Sequence, residues 1–232
     1  MESAGKGAFA VSREVLVVVA HPDDETLGMG GTIRRLANDG DSVYVGVLAD
    51  GVTSRYWPFS GPEELSFKDV KVLERQGQAE RAFGILGVRN HDFARYSDQR
   101  LDEKPFLRVV KRVEDWISVW HPQVIFTHAA NDLNMDHRIV HQAVLTAARP
   151  HKVQIDEILA FEVPTSTELG LKPFNPTVFF DISDTLEVKK EAFACYQEDF
   201  PEPQYIDFIA KRYGYMVGYK AAEAFELVRM VR

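Results

Sequence analysis

The chain has 232 residues, with 35 Asp and Glu against 27 Lys and Arg, a net charge of −8. An acidic balance argues against a nucleic-acid partner, which needs a basic face, and against docking on an anionic membrane. A hydrophobic fraction of 45% and a charged fraction of 27% are those of a soluble globular domain long enough to bury one substantial core. The one cysteine, Cys195, excludes an intrachain disulfide and points to a reducing compartment. The opening residues lack the apolar core of a secretion signal, and no stretch reaches the ~20 apolar residues of a membrane span. The expectation is a cytoplasmic protein, with disorder over about residues 1–12.

Taken in chain order, the first element is "VLVVVA" (Val15–Ala20), an apolar β-branched run of the kind buried on both faces of a sheet. "TLGMGGTIRRLANDG" then places Leu27, Ile33 and Leu36 at helical spacing before a stop at Gly40. "SVYVGVLA" (Ser42–Ala49) is a second buried strand. Asp50–Phe67 carries Gly, Pro and Ser without periodicity, and a loop of that length in a compact domain is usually functional. Val72, Arg75, Ala79, Ala82, Phe83 and Leu86 recur with a period near 3.6 up to Gly87, a C-terminal stop. Leu107, Val110, Val113 and Ile117 form the stripe of a third helix, ended before Pro122. Strands follow at Gln123–Ala129, Glu157–Val163 and Thr177–Ser183, with helices over "DHRIVHQAVLTAAR", "TLEVKKEAFACYQE" and within "FIAKRYGYMVGYKAAEAF". This alternation predicts an α/β fold: a Rossmann-like, mainly parallel sheet flanked by helices on both faces, in a single domain.

Two polar clusters stand out. "AHPDDE" follows the first strand, at the carboxyl edge where open α/β sheets bind ligands. Pro22 fixes its own φ and biases His21 toward an extended conformation. His21 and Asp24, three residues apart, can converge in a tight turn, and an imidazole with a carboxylate suits Zn²⁺. Asp23 between them points elsewhere and is free to act as a general base. Helix capping by Asp23 or Asp24 is the alternative for the acids, but it leaves His21 unexplained. Gly28, Gly30 and Gly31 allow close approach of a ligand or a neighbouring strand. Because Ile33 stands where the third glycine of G-x-G-x-x-G belongs, a dinucleotide oxidoreductase is a weak reading.

The second cluster is "THAANDLNMDHRIVHQAV" (Thr127–Val144). His128 ends a strand at the same carboxyl edge, and His137 and His141 share one helix face at i, i+4. Three protein ligands with a fourth position left open are the pattern of a catalytic zinc, which activates water. A nearby carboxylate such as Asp23 takes the water's proton, and a His or Asn stabilises the oxyanion. The parts describe hydrolysis of an amide or ester. The sequence offers no G-x-S-x-G elbow and no phosphate-binding G-x-x-x-x-G-K-[ST] loop.

"AHPDDETLGMGG" together with "NDLNMDHRIVHQAV" resembles the PIG-L/LmbE family of zinc-dependent deacetylases, which remove the N-acetyl group from N-acetylglucosamine and related sugars. "DGVTSR", "RQGQAERAFGILGV", "YSDQRLD", "FEVPTST", "FDISDTLEVKKEAFACY" and "AAEAF" also resemble segments of one bacterial branch. The resemblance implies His21, Asp24 and His137 as zinc ligands, Asp23 as general base, and Asp136 as a residue that orients or tunes a catalytic group. The family's H-P-D-H segment reads Asn134-Met135-Asp136-His137 here. Asn134 can donate a hydrogen bond but cannot supply a proton, so His128, or alternatively His141, is the candidate to replace the missing His. The resemblance also marks Arg55, in the long loop, and Asp98 as substrate-binding candidates beside Asn134. Tyr56 and Trp57 beside Arg55 could stack on a sugar or a base, or pack the loop. The implied partner is a small amino-sugar substrate, free or linked to a nucleotide or glycan; a homo-oligomer is left open. A protein that kept the fold and binds metal or sugar without catalysis is the alternative.

Overall fold

The computed structural model describes residues 12–56, 62–164, 166–196 and 204–232. Except for Ser12, the N-terminal segment expected to be disordered lies outside these residues, as does Trp57. Seven strands form one sheet among the described residues: β1 (Glu14–Val19), β2 (Ser42–Ala49), β3 (Asn90–Tyr96), β4 (Val124–His128), β5 (Glu157–Phe161), β6 (Val178–Asp181) and β7 (Ala222–Met230). Their order is β3-β2-β1-β4-β5-β7-β6. The pairs from β3 through β5 are parallel, and β7 runs antiparallel to both β5 and β6. From β1 the chain winds outward one way to β2 and β3, then returns to place β4 and β5 on the other side. The reversal leaves a crevice between the carboxyl ends of β1 and β4.

The helices are α1 (Asp24–Asn38), α2 (Pro62–Leu86), α3 (Phe106–Trp120), α4 (Met135–Ala147), α5 (Leu186–Phe193) and α6 (Gln204–Val217). Because side chains alternate along a strand, Val15, Val17 and Val19 of β1 join one core with α1, α2, α5 and α6. Leu16 and Val18 join the other, with α3 and α4. The sheet is therefore covered on both faces, as the run of apolar β-branched residues predicts.

Several sequence expectations are corrected. β3, "NHDFARY", is an edge strand with no fully buried residue, so it lacks the apolar run that marked the others. α6 ends at Val217 because Gly218 takes a left-handed φ of 82°, the C-terminal stop that favours glycine. Ala222–Phe225, read as helix, instead opens β7. α2 begins at Pro62 rather than Phe67; proline suits the first helical position. This shortens the predicted loop, whose start is a 3₁₀ turn over Thr53–Tyr56. In α3, Leu107 is exposed, and Val109, Trp116 and Trp120 complete the buried face.

Helix α1 is broken inside: Met29 has φ −149° and ψ 23°. A Cβ on Gly28 would lie 2.2 Å from Phe161 Cδ2, and one on Gly31 would lie 2.9 Å from Ile182. These glycines admit close packing of neighbouring elements, one of the two uses foreseen for them.

Candidate metal centre

Both polar clusters meet in the crevice. β1 delivers His21, and Pro22 packs against Gly51, where a Cβ would approach Pro22 Cδ to 2.9 Å and φ is +72°. Asp23 follows with φ 129° and ψ −30° at the N-terminus of α1, a strained conformation for a non-glycine residue of the kind found at functional sites. It occupies the capping position, but its side chain makes no capping bond. Instead Glu25 Oε2 accepts the Asp23 N–H at 3.2 Å.

His21 Nδ1 and His137 Nε2 face each other at 3.3 Å. Both also face Asp24: His21 Nδ1 is 3.4 Å from Oδ2 and His137 Nε2 is 3.4 Å from Oδ1. All three residues are buried, with ligand-capable atoms within 4.8 Å of one another. The opposite ring nitrogens face carboxylates. His21 Nε2 lies 3.0 Å from Asp98 Oδ1 and 3.2 Å from Asp136 Oδ2; His137 Nδ1 lies 3.1 Å from Asp132 Oδ2. Carboxylates in those places take the ring protons and turn the remaining lone pairs inward. Two lone pairs and a carboxylate then converge in a buried space, an arrangement that a cation relieves. Two imidazoles and one carboxylate fit zinc's preferences.

The electrostatics of the same atoms agree. Burial opposes charge on His137, but the Asp24 and Asp132 carboxylates outweigh it and lift the imidazole to about 9. His21 is likewise raised well above its ordinary value, against burial, by Asp136, Asp24 and Asp98. Burial acts to raise Asp24, yet the His137 and His21 imidazoles hold its carboxyl well below the usual range. The cluster favours positive charge at its centre.

Asp23 behaves oppositely to Asp24. Burial, then the Asp24 charge, push its carboxyl well above the usual range, and Arg75 pulls it back. Arg75 Nη1 lies 3.5 Å from Asp23 Oδ2, and Arg75 is only 2% exposed. The Arg75 guanidinium sits over the Tyr196 ring, 5.5 Å from its centroid, and the Tyr196 hydroxyl donates to Glu25 Oε1 at 3.1 Å. Sequence reasoning placed Arg75 on the inward stripe of its helix without giving it a role. An arginine among Val72, Ala79 and Phe83 was the available signal. Asp132 also has no role by sequence alone, being one of two acids in a polar run.

The other candidates are placed as follows. Asp136 is fully buried, and its oxygens accept the Gln99 and Leu101 N–H groups at 2.9 and 3.0 Å besides facing His21. Asp98 Oδ2 accepts the Ser54 hydroxyl, and its Oδ1 faces His21. Both oxygens thus have partners within the protein. Asn134 caps α4, its Oδ1 accepting the Asp136 N–H at 2.9 Å. His128 is 0% exposed and stacks on His137 with ring centroids 4.0 Å apart. Its Nε2 accepts the Ala20 N–H at 2.9 Å, which assigns the proton to Nδ1. Burial and the neighbouring His137 hold His128 well below its ordinary pKa. His141 Nδ1 lies 2.8 Å from the His128 carbonyl oxygen and stands outside the metal cluster. Arg55 is exposed on the 3₁₀ turn beside Ser54, and Tyr56 is half-buried.

The family model PIG-L, described as GlcNAc-PI de-N-acetylase, matches residues 16–148, more than half of the chain. The chain belongs to the PIG-L family. The PIG-L segment contains His21, Asp23, Asp24, Arg75, Asp98, Asp132, Asp136 and His137, the whole of the cluster described above. The diacetylchitobiose deacetylase of Thermococcus kodakarensis is 29% identical over 231 residues, covering 93% of this chain and 83% of that one. The N,N′-diacetylchitobiose deacetylase of Pyrococcus horikoshii, solved with an inhibitor, matches with a TM-score of 0.74 at 22% identity, over 94% of this chain and 84% of that one. The 4-carboxy-2-hydroxymuconate hydratase of Pseudomonas putida matches with a TM-score of 0.77 at 23% identity, over 95% and 98%. A deacetylase and a hydratase on one PIG-L-like backbone mean that the site, not the fold, must carry the functional argument.

Proposed function

We propose that the protein is a zinc-dependent N-deacetylase that hydrolyses the acetamido group of an N-acetylglucosamine-type amino sugar, in the cytoplasm. The observation that carries this reading is the convergence of His21, Asp24 and His137, each imidazole backed by a carboxylate, with the raised carboxyl of Asp23 beside them. The 29%-identical diacetylchitobiose deacetylase supports the substrate class.

His21, Asp24 and His137 would hold the zinc, which would supply polarisation of the amide carbonyl and a bound water of pKa lowered toward ~7. Asp23 accepts the proton of the attacking water, its pKa moved toward working pH by burial and the Asp24 charge. Arg75 holds the Asp23 carboxylate in place. As the new C–O bond forms and the C–N bond breaks, Asp23 returns the proton to the departing amine, leaving acetate. His128, with Nε2 occupied by a backbone N–H, is assigned to holding the end of β1 rather than to proton delivery. Asn134 presents its amide N–H₂ as a donor to the substrate, because its oxygen caps α4. Arg55, exposed near the crevice, is assigned to contacts with substituents on the sugar.

The test is acetate release from a panel of N-acetyl sugars, before and after chelation and with zinc restored. Activity that survives complete removal of metal refutes the reading. Asp23→Asn is expected to retain zinc and lose about 10²- to 10⁴-fold in kcat; full activity in that variant removes Asp23 as base.

A further inference from the structure

Helix α1 carries Asp24 in its first turn and breaks at Met29. In an unbroken helix the Gly31 N–H would donate to the Leu27 carbonyl, and the Thr32 N–H to the Gly28 carbonyl. Here Gly31 N–H donates to Glu223 Oε1 at 3.0 Å and Thr32 N–H to Glu223 Oε2 at 2.6 Å. The Leu27 carbonyl accepts from Lys189 Nζ at 2.8 Å, and Lys189 Nζ also meets Glu223 Oε1 at 2.6 Å. Lys189 and Glu223 are each 4% exposed. A buried ion pair from α5 and β7 is thus inserted into the hydrogen-bond ladder of α1. Its carboxylate caps the second half of the helix at the N-terminal end, where a negative charge is favoured. Its ammonium caps the first half at its last carbonyls. Thr185 adds a third contact, its hydroxyl donating to the Gly31 carbonyl at 2.8 Å.

The break has a geometric consequence. The second half packs its Gly31 on Ile182, and the first half brings Gly28 against Phe161 and the Glu162 carbonyl. A continuous ladder would carry the first turn along the axis of the second half, and Asp24 with it. We infer that Lys189 and Glu223 are positioning residues for the metal centre: by splitting α1 at Met29 they set the first turn so that Asp24 meets His21 and His137. This rests on the reading of those three residues as ligands. It also gives a role to "EVKKEAF" and "AAEAF", two segments outside the matched family region.

Removing both members should let Gly31 N–H and the Leu27 carbonyl pair with each other. Replacing a whole buried ion pair by apolar groups is often tolerated, whereas removing one member strands a charge. The decisive protein is therefore K189M/E223L. It is expected to fold, to lose about tenfold or more in zinc affinity, and to give an altered visible spectrum with Co²⁺ in place of zinc. E223Q can keep its oxygen toward Gly31 N–H and Lys189, which share Oε1, and gives up only the Thr32 N–H bond to Oε2; it is expected to retain wild-type zinc affinity at reduced thermal stability. A folded K189M/E223L with wild-type affinity and Co²⁺ spectrum overturns the inference. A loss in E223Q as large as in the double variant assigns the effect to buried charge and overturns it as well. Should the double variant not fold, hydrogen-bond scalar couplings in the unmodified protein decide. Coupling of the Gly31 amide to the Glu223 carboxylate supports the split ladder, and coupling to the Leu27 carbonyl refutes it. A wild-type protein that binds no zinc would instead refute the ligand assignment and leave the coupling result standing.

Discussion

Asp132→Asn tests the metal centre with the smallest change of shape. Asp132 is 2% exposed and stands 3.1 Å from His137 Nδ1. It also accepts the Asn134 N–H at 2.8 Å, the Thr167 hydroxyl at 2.6 Å and the Ser166 hydroxyl. Burial opposes its ionisation, but His137 and the two hydroxyls hold its carboxyl at about 2, so it is an anion at any assay pH and favours a proton on the His137 nitrogen that faces it, Nδ1. In the Asn variant the side-chain oxygen can keep Asn134 N–H and Ser166, which share Oδ1. The amide N–H₂ then replaces Oδ2, opposite His137. Two donors cannot face each other, so the imidazole must move its proton to Nε2, the atom turned toward His21 and Asp24. A ligand lone pair is lost in the preferred tautomer. Changes to carboxylates that orient ligand histidines weaken metal binding by about 10- to 100-fold, which is about 1.4–2.7 kcal/mol. Competition between metal-free protein and a chromophoric chelator for zinc measures this directly. Zinc affinity equal to wild type in a folded Asp132→Asn protein would refute the view that Asp132 sets the tautomer of a ligand.

Gly28→Ala forces a methyl to within 2.2 Å of the buried Phe161 ring and 3.0 Å of the Glu162 carbonyl. Overpacking of this kind costs about 1–3 kcal/mol, read as a lower thermal midpoint together with weakened metal binding, since the same turn carries Asp24. His128→Leu leaves the buried Ala20 N–H without an acceptor, an expected loss of about 1–3 kcal/mol in urea unfolding. The shape of the pH–rate profile should be unchanged; a missing acid limb would make His128 a proton donor after all. Glu162 is 6% exposed, and burial raises its carboxyl against the opposing hydrogen bond from Tyr213 at 2.6 Å. The folded state therefore holds this proton more tightly than the unfolded state, so its contribution to stability is full below the ordinary carboxyl pKa and is lost as pH rises through the folded value. Glu162→Gln should flatten that fall, and parallel stability–pH curves for the two proteins would contradict it.

The elements legible in the sequence are those whose signal is local. β1, β2 and β4 are continuous apolar runs because parallel strands at the centre of the sheet are buried on both sides. Their carboxyl ends identify where a ligand would sit, and the residue types there offer His21, Asp24 and a third His as candidates; it is the resemblance to the PIG-L/LmbE family that singles out His137 among His128, His137 and His141. β3 was not legible because an edge strand pairs on one side only and needs no apolar run. β7 was not because its first residues, Ala222–Phe225, lie at the end of a stretch read for its last helix and are strand through pairing with β5 and β6.

What the chain order alone determined was therefore the architecture, the edge that carries the chemistry and the residue types available for it. The tertiary structure decided which nitrogen of each histidine faces inward, because that depends on Asp98, Asp136 and Asp132 lying behind the rings. It decided that His128 holds a backbone N–H 108 residues away instead of standing free in the crevice. It placed Arg75 beside Asp23, and it joined Glu223 to Gly31 across 192 residues of sequence. A hydrogen bond is satisfied by whichever partner the packing of the sheet and helices brings within about 3 Å, and for residues this far apart only the folded chain makes that choice.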